Sequence, residues 1–272
     1  MVTTVLTRAV IGSELSPRRA VAVTQRNVIA FRTSGSYWWL VVSGFAEPVL
    51  YLLAIGWGVG ALVGDIELAD GRTVSYLTFL APALLATAAM NGAIAESTMN
   101  FFAKMKFTKL YDSMLNTPVT PVEIAFGELG WAMARGAMYT AAFLVVMVAM
   151  DLTTPLLALA ALPAALLIGF GFGAIGMSIA TVMRSWQDFD YVGIIQFALF
   201  LFSGTFVPVD TYPAALQWLV YVTPLYHGVE LIRSITVGLV GWSALWHVGY
   251  LLALIAGGLT IASRRMTQLL CK

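Results

Sequence analysis

Residues 156–183 read LLALAALPAALLIGFGFGAIGMSIATVM, a stretch without a single charged side chain. The hydrocarbon core of a bilayer is about 30 Å thick, and a helix of about 20 apolar residues crosses it. Such a helix satisfies all its backbone hydrogen bonds internally, where lipid offers no partners. The stretch therefore predicts a transmembrane helix.

Five more apolar stretches with few or no charged residues lie on either side of it. The six predicted spans are about 38–63, 76–95, 122–150, 156–183, 191–207 and 242–262. The period-two alternation of a membrane β-barrel is absent, and the chain is 60% hydrophobic and only 11% charged. The sequence predicts an all-α polytopic membrane protein, in which a polar arm, residues 1–36, precedes one transmembrane domain, residues 37–272.

The basic residues predict the orientation of these spans. Of the 15 basic residues, 12 lie before the first span, between the second and third, between the fourth and fifth, or after the sixth. Positive charge concentrates on the cytoplasmic side of a membrane, so both termini are predicted to be cytoplasmic. The first 36 residues contain no apolar core of a signal peptide, so no cleavage is expected.

The arm contains a basic and apolar segment that begins at Ser16-Pro17. Its arginines alternate with valine, isoleucine and phenylalanine, and Pro is favourable in a first helical turn. We expect an amphipathic helix in the cytoplasmic headgroup layer. The alternative is a soluble tail that only sets the topology.

A few polar residues interrupt the spans. Glu47, Asn91 and Glu96 are candidates for a substrate pathway, because a carboxyl or amide group inside a membrane requires a partner or water. Glu128 and Arg135 are two helical turns apart and share a face. For the latter pair, contact between helices is the preferred interpretation over contact with a substrate.

The loop between the second and third spans, residues 99–118, contains an apolar pattern with helical spacing. The pattern comprises Phe107, Leu110, Tyr111, Met114 and Leu115. It predicts a short amphipathic helix at the cytoplasmic surface, with lysines on its other faces. Such a helix can dock a motor subunit or merely connect two spans.

The segment before the last span cannot cross the membrane, because Pro208, Pro213 and Pro224 interrupt it. The apolar piece 214–222 is too short to span and predicts an outer re-entrant or interfacial helix. After Pro224, the residues His227, Glu230 and Arg233 line one helix face. We expect an ion pair between Glu230 and Arg233, and a structural or gating role for this face.

Several classes of site are not expected. The single Cys271 forms no internal disulfide, and His227 and His247 are too far apart in sequence to suggest a metal or catalytic site. A P-loop needs Gly-Lys-Ser/Thr, and none of the four lysines fits. The chain is therefore predicted to be no enzyme, to carry no cofactor or metal, and to bind no nucleic acid.

The chain resembles a known family at two places. Pro224-Leu225-Tyr226-His227 followed by Arg233 matches the P-L-x-H-x5-R end of the signature of type-2 ABC exporter permeases (ABC-2). The run YLTFLAPALL at residues 76–85, continuing to Met90-Asn91-Gly92 and Glu96-Ser97, is similar to nodulation lipo-oligosaccharide exporter permeases. Drug-export permeases of actinobacteria are related to these.

The resemblance implies a permease subunit in the bacterial cytoplasmic membrane that moves an amphipathic substrate outward. It also implies a partner ABC subunit that binds ATP, and either a homodimer or paired permeases within membrane lipid. The loop helix would then be the coupling helix, with Lys106, Phe107, Leu110, Tyr111 and Met114 as its contact residues, and Pro224, His227, Glu230 and Arg233 would form the outer gate.

Two other functions remain as alternatives. An ion-coupled carrier or channel for small solutes would need several buried ionisable residues at the membrane midplane, which are scarce here. An intramembrane enzyme acting on lipids would need a histidine–aspartate or metal constellation.

Overall fold

The computed structural model describes residues 16–33, 35, 37–67 and 71–270, and this part of the chain is almost entirely helical. The helices are α1 Pro17–Thr33, α2 Tyr37–Gly58, α3 Gly60–Val63, α4 Tyr76–Ala95, α5 Leu110–Leu115, α6 Pro121–Ala149, α7 Pro155–Ala180, α8 Asp188–Leu201, α9 Ala214–Val222, α10 Pro224–Thr236 and α11 Ser243–Leu270. One short antiparallel hairpin, β1 Asp65–Glu67 and β2 Thr73–Ser75, joins α3 to α4, with Ile66 opposite Val74. The sequence did not predict this hairpin.

Four described helices are long and apolar enough to cross a membrane. They are Tyr76–Phe107, Pro121–Ala149, Pro155–Ala180 and Ser243–Leu269. They confirm the predicted second, third, fourth and sixth spans as helices of spanning length. The predicted first span coincides with α2, in which many side chains lie outside the described part of the structure.

The predicted fifth span, 191–207, is wrong in its extent. Helix α8 has 14 residues and ends at Leu201, which is shorter than the length needed to cross a bilayer. The chain turns instead, because Gly204 has a φ of +67° and its carbonyl accepts a hydrogen bond of 2.9 Å from Arg233 Nη2. The three prolines that follow were expected to prevent a span, and α9 and α10 begin beside two of them.

The second span is longer than predicted, so the first half of the expected loop 99–118 is helical. Helix α4 continues through two π-helical turns, Glu96–Asn100 and Ala103–Phe107. The hydroxyls of Ser97 and Thr98 donate to the carbonyls of Ala93 and Ile94 at 2.7 and 2.6 Å, so these polar side chains are satisfied within the helix.

Helix α7 is central to the packing and contacts α4, α6, α10 and α11. Its Ile168 and Phe172 are buried in the core together with Leu129 of α6 and Leu251 of α11. The backbones of α7 and α11 come close at Gly258 of α11, where an added Cβ would lie 2.8 Å from the backbone carbon of Ala174. Small residues permit such close approach between membrane helices.

This contact gives a matched pair of variants. Gly258→Ala should lower the free energy of unfolding by about 1–3 kcal/mol, because α7 must move away from the new methyl group. Gly257→Ala should leave stability nearly unchanged, since nothing lies within 4 Å of that position. Thermal unfolding of both purified variants in one detergent checks the prediction, and equal melting temperatures would contradict the close approach.

Helix α1 is present where the sequence predicts a helix, and it packs on the beginning of α6. Val23 is buried where α6 has Gly127, and Thr24 Oγ1 donates to the Gly127 carbonyl at 2.9 Å. The backbone nitrogen of Ser16 donates to Glu123 Oε1 at 2.8 Å. Glu123 also forms a capping box with Thr120 and thereby fixes the start of α6.

Candidate functional site

The expected coupling residues do not form one helical face. Phe107 ends the extension of α4, and Lys109 has a left-handed φ of 47°, so α5 begins only at Leu110. Phe107 is 59% exposed, whereas Tyr111 is fully buried and its ring lies 5.2 Å from that of Phe101. Lys106 is exposed, and Leu110 and Met114 are half-buried. The prediction of a single helix through Phe107 is therefore wrong, because the π-helical extension incorporates that residue.

Phe107 belongs to a group of four rings that we call the aromatic cluster: Phe102, Phe107, Trp186 and Phe189. The ring of Phe107 stacks on that of Trp186 at a centroid distance of 5.3 Å and an interplanar angle of 24°. Phe102 is buried beneath them and meets all three other rings edge to face. Sequence reasoning missed Trp186, although a tryptophan in a short polar connection between two apolar stretches was a usable signal.

The connection that holds Trp186 is fixed by Asp188. Its carboxylate accepts hydrogen bonds from the backbone nitrogens of Arg184 at 2.7 Å and Ser185 at 3.2 Å. These two bonds lower the pKa of Asp188 below its usual value, since they stabilise the carboxylate form. The aromatic cluster is therefore held on two ordered segments, the end of the α4 extension and the connection from α7 to α8.

Ion pairs connect α6 to α1 and to the α4 helix with its extension. Lys104 Nζ lies 2.6 Å from Glu128 Oε2, and Arg135 Nη1 lies 2.7 Å from Glu96 Oε2. A weaker contact of 3.5 Å joins Arg19 to Glu123. Glu128 and Arg135 thus contact partners on the α4 helix and its extension, which supports their interpretation as contacts between helices.

Glu96, a candidate for the substrate pathway, is already occupied by protein partners. Its Oε1 accepts from Trp131 Nε1 at 3.0 Å, and its Oε2 accepts from Asn100 Nδ2 and Arg135 Nη1, both at 2.7 Å. A carboxylate with three donors gains little from a substrate hydroxyl. This geometry favours a structural role for Glu96.

Asn91 lies at a cavity of about 360 Å³ between α2, α4, α6 and α8. Its Oδ1 accepts a hydrogen bond of 2.9 Å from Gln196 Nε2, so two amide side chains form the polar part of the wall. The remaining wall is mainly aromatic and aliphatic. The lining residues are Tyr51, Leu84, Thr87, Ala88, Asn91, Phe143, Gly193, Gln196, Phe197 and Phe200. The side chain of Glu47, the third pathway candidate, lies outside the described part of the structure.

The predicted ion pair between Glu230 and Arg233 is present in α10. The guanidinium of Arg233 also donates to the Gly204 carbonyl at 2.9 Å and to the Phe79 carbonyl at 3.4 Å. Its Cζ lies 3.9 Å from the centre of the Phe79 ring, which adds a cation–π contact. Arg233 thus joins α10 to α4 and to the turn after α8, while Pro224 starts α10.

The two histidines are neighbours in space, which corrects the expectation from their separation in sequence. His227 Nδ1 of α10 lies 2.8 Å from His247 Nδ1 of α11, so one ring donates a proton and the other accepts it. The Tyr250 ring stacks on His227 at 3.9 Å. Among the described residues, no group of three or more side chains has the arrangement of a metal site.

Helices of spanning length, packed through buried small residues and internal ion pairs, define an integral membrane protein of the helical class. Residues 19–237 match the family model described as ABC-2 type transporter. The chain belongs to this family. The resemblance noted from the 224–233 segment is confirmed, and the chain is a membrane permease by family.

Proteins called nodulation protein J are among its relatives. The chain is 32% identical over 232 residues to the protein of Rhizobium leguminosarum bv. viciae, which covers 85% of this chain and 87% of that protein. It is 33% identical over 232 residues to the protein of Rhizobium leguminosarum bv. trifolii, with 85% and 86% covered. The protein of Rhizobium meliloti strain 1021 is 32% identical over 230 residues, with 84% of each covered.

Proposed function

We propose that the chain is the permease subunit of an ATP-driven exporter that moves an amphipathic molecule outward across the bacterial cytoplasmic membrane. The substrate class is a lipo-oligosaccharide, another glycolipid or a hydrophobic drug. The observation that carries this proposal is the cavity around Asn91 and Gln196, because it combines an amide pair with the rings of three phenylalanines. Relatives called nodulation protein J support the lipo-oligosaccharide class.

The chemistry of the cavity fits a molecule with a polar and an apolar part. Amide groups both donate and accept hydrogen bonds, as saccharide hydroxyls do. The rings of Phe143, Phe197 and Phe200 offer apolar surface to an acyl chain or an aromatic drug. A small hydrophilic solute would gain nothing from these rings, which favours an amphipathic substrate over the small solute of the carrier or channel alternative.

The energy source in this proposal is a separate ATP-binding subunit. The chain has no Gly-Lys-Ser/Thr motif, and ATP would therefore bind only to the partner. Lys106, Phe107, Leu110 and Met114 surround an exposed or half-buried surface at the end of the α4 extension. This surface, together with Trp186, is the proposed docking site for the partner.

A second permease copy, identical or paired, completes the proposal. Ile194 and Ile195 on α8 are exposed apolar side chains on a helix too short to cross a bilayer alone. Packing against another permease would cover them. In this proposal both termini and α1 lie on the cytoplasmic side, because they share a side with most of the basic residues.

Vesicles that contain the permease and its ATPase test the proposal. We expect ATP-dependent outward movement of a fluorescently labelled glycolipid. Asn91→Leu should raise the half-saturating glycolipid concentration roughly tenfold, since a hydrogen bond to the polar headgroup is lost. Gln268→Leu, an exposed amide near the end of α11, is the matched control and should behave as wild type.

Labelled sucrose serves as the opposing substrate in the same vesicles. Movement of sucrose without movement of the glycolipid would overturn the amphipathic assignment. Movement that persists without ATP, or with a sodium or proton gradient alone, would favour the carrier alternative.

A further inference from the structure

Three buried polar atoms without a hydrogen-bond partner lie on α1, α5 and α6. Among the described residues, the buried side-chain atoms without a hydrogen-bond partner are Asn27 Nδ2, Tyr111 Oη and Glu128 Oε1. The exposed fractions of these three residues are 4%, 0% and 6%. An unpaired buried polar group is costly, so each of the three indicates a functional arrangement or a bridging water.

Lys104 joins two of these residues directly. Its Nζ donates to Glu128 Oε2 at 2.6 Å and to Asn27 Oδ1 at 3.3 Å. Glu128 therefore has one occupied oxygen, and its second oxygen remains available to another donor. We call Asn27, Lys104, Tyr111 and Glu128 the polar cluster.

Tyr111 is the member of the polar cluster that lies on α5, the helix that carries Leu110 and Met114 of the proposed docking site. The Tyr111 ring lies 5.2 Å from that of Phe101, which is one helical turn from Lys104, the residue that donates to Glu128. Burial and then the negative charge of Glu128 raise the pKa of the Tyr111 phenol well above its usual value. The pair nonetheless misses the geometry of a full hydrogen bond, since both atoms remain without a partner. A small rotation or one bridging water would join them.

We propose that Tyr111 is a positioning residue, which ties α5 to α6 by donating a hydrogen bond to Glu128, directly or through one water. The inference rests on the proposed docking of an ATPase at α5. Because α5 has only six residues and is preceded by left-handed Lys109, its own backbone provides little stiffness. The polar cluster makes α5, the α4 extension, α6 and α1 move as one unit when the ATPase moves α5.

A distance measurement within one chain tests this link without any substrate. Spin labels replace Ser113 on α5 and Met138 on α6, in a Cys271→Ser background diluted with unlabelled chain. In the full complex with its ATPase, the wild type should give one distance without nucleotide and one with ATP and vanadate. In each condition, Tyr111→Phe should add a second distance, from chains in which α5 is no longer held against α6. The ratio of held to released chains should fall roughly tenfold.

Two further variants make the result decisive. Glu128→Gln should produce the same second population, and combining it with Tyr111→Phe should add little to either change alone. Tyr191→Phe removes an exposed hydroxyl from α8 and should retain the wild-type distances. Distances that are identical in Tyr111→Phe, Glu128→Gln and wild type would overturn the inference.

Co-purification separates this inference from the proposed function. Wild-type permease that fails to retain an ATPase contradicts the docking proposal, whatever the distances show. A retained ATPase with unchanged distances in Tyr111→Phe contradicts only the positioning role.

Discussion

The Glu230→Ala variant should accumulate in membranes at a small fraction of the wild-type level. The substitution removes the carboxylate that pairs with the Arg233 guanidinium. The Arg233 side chain is only 8% exposed, so water cannot replace that partner. Breaking a buried ion pair by removing one partner destabilises a protein by about 3–5 kcal/mol. We expect the lower end of that range, because Gly204 and Phe79 still contact the cation.

A double variant separates the loss of the pair from the loss of the side chain. Glu230→Ala combined with Arg233→Met removes the unpaired charge and retains much of the buried volume, so it should recover part of the lost protein. Glu67→Ala is the control, since Glu67 is an exposed carboxylate in the hairpin. Membrane levels and melting temperatures in detergent provide the readout, and simply additive losses would mean that the two side chains do not interact.

The Phe107→Asp variant of the permease should bind its partner ATPase far more weakly than the wild type does. Phe107 is the most exposed ring of the aromatic cluster, and aromatic anchors dominate the binding energy of interfaces. A buried carboxylate without a partner would replace that anchor in the docked complex. We expect the affinity between permease and ATPase to fall roughly hundredfold.

Two comparisons make this result specific. Leu62→Asp places the same charge on an exposed apolar residue near the opposite end of α4 and should leave ATPase binding intact. Phe107→Leu keeps the site apolar and should retain most of the affinity. Binding is measured with purified subunits in detergent, alongside melting temperatures. Full ATPase binding by a stable Phe107→Asp protein would assign this surface to a passive connection.

Features that depend on short stretches of sequence were predictable. Four spans, the helices that begin beside Pro213 and Pro224, and the pairing of Glu230 with Arg233 all follow from local composition or from spacing of three residues. The π-helical extension to Phe107 was missed because Ser97 and Thr98 resemble loop residues until their hydroxyls find carbonyls of the preceding turn. The end of α8 was missed because it depends on the distant Arg233, which binds Gly204.

The candidate site was predictable only in part. The sequence singled out Phe107, Tyr111 and Asn91. It could not show that Phe107 is exposed, that Tyr111 is buried, or that Asn91 lies beside Gln196. It also treated Glu96 as a pathway candidate, whereas the structure surrounds its carboxylate with three donors.

The sequence by itself determined that this chain is a helical membrane permease. Uncharged stretches long enough to span lipid leave the backbone no other solution, and the motif at residues 224–233 identifies the family. Only the tertiary structure decided which polar groups meet. His227 and His247 are 20 residues apart, and Glu96 and Arg135 are 39 apart. Such contacts depend on the rotation and relative depth of packed helices, which apolar composition alone leaves undetermined.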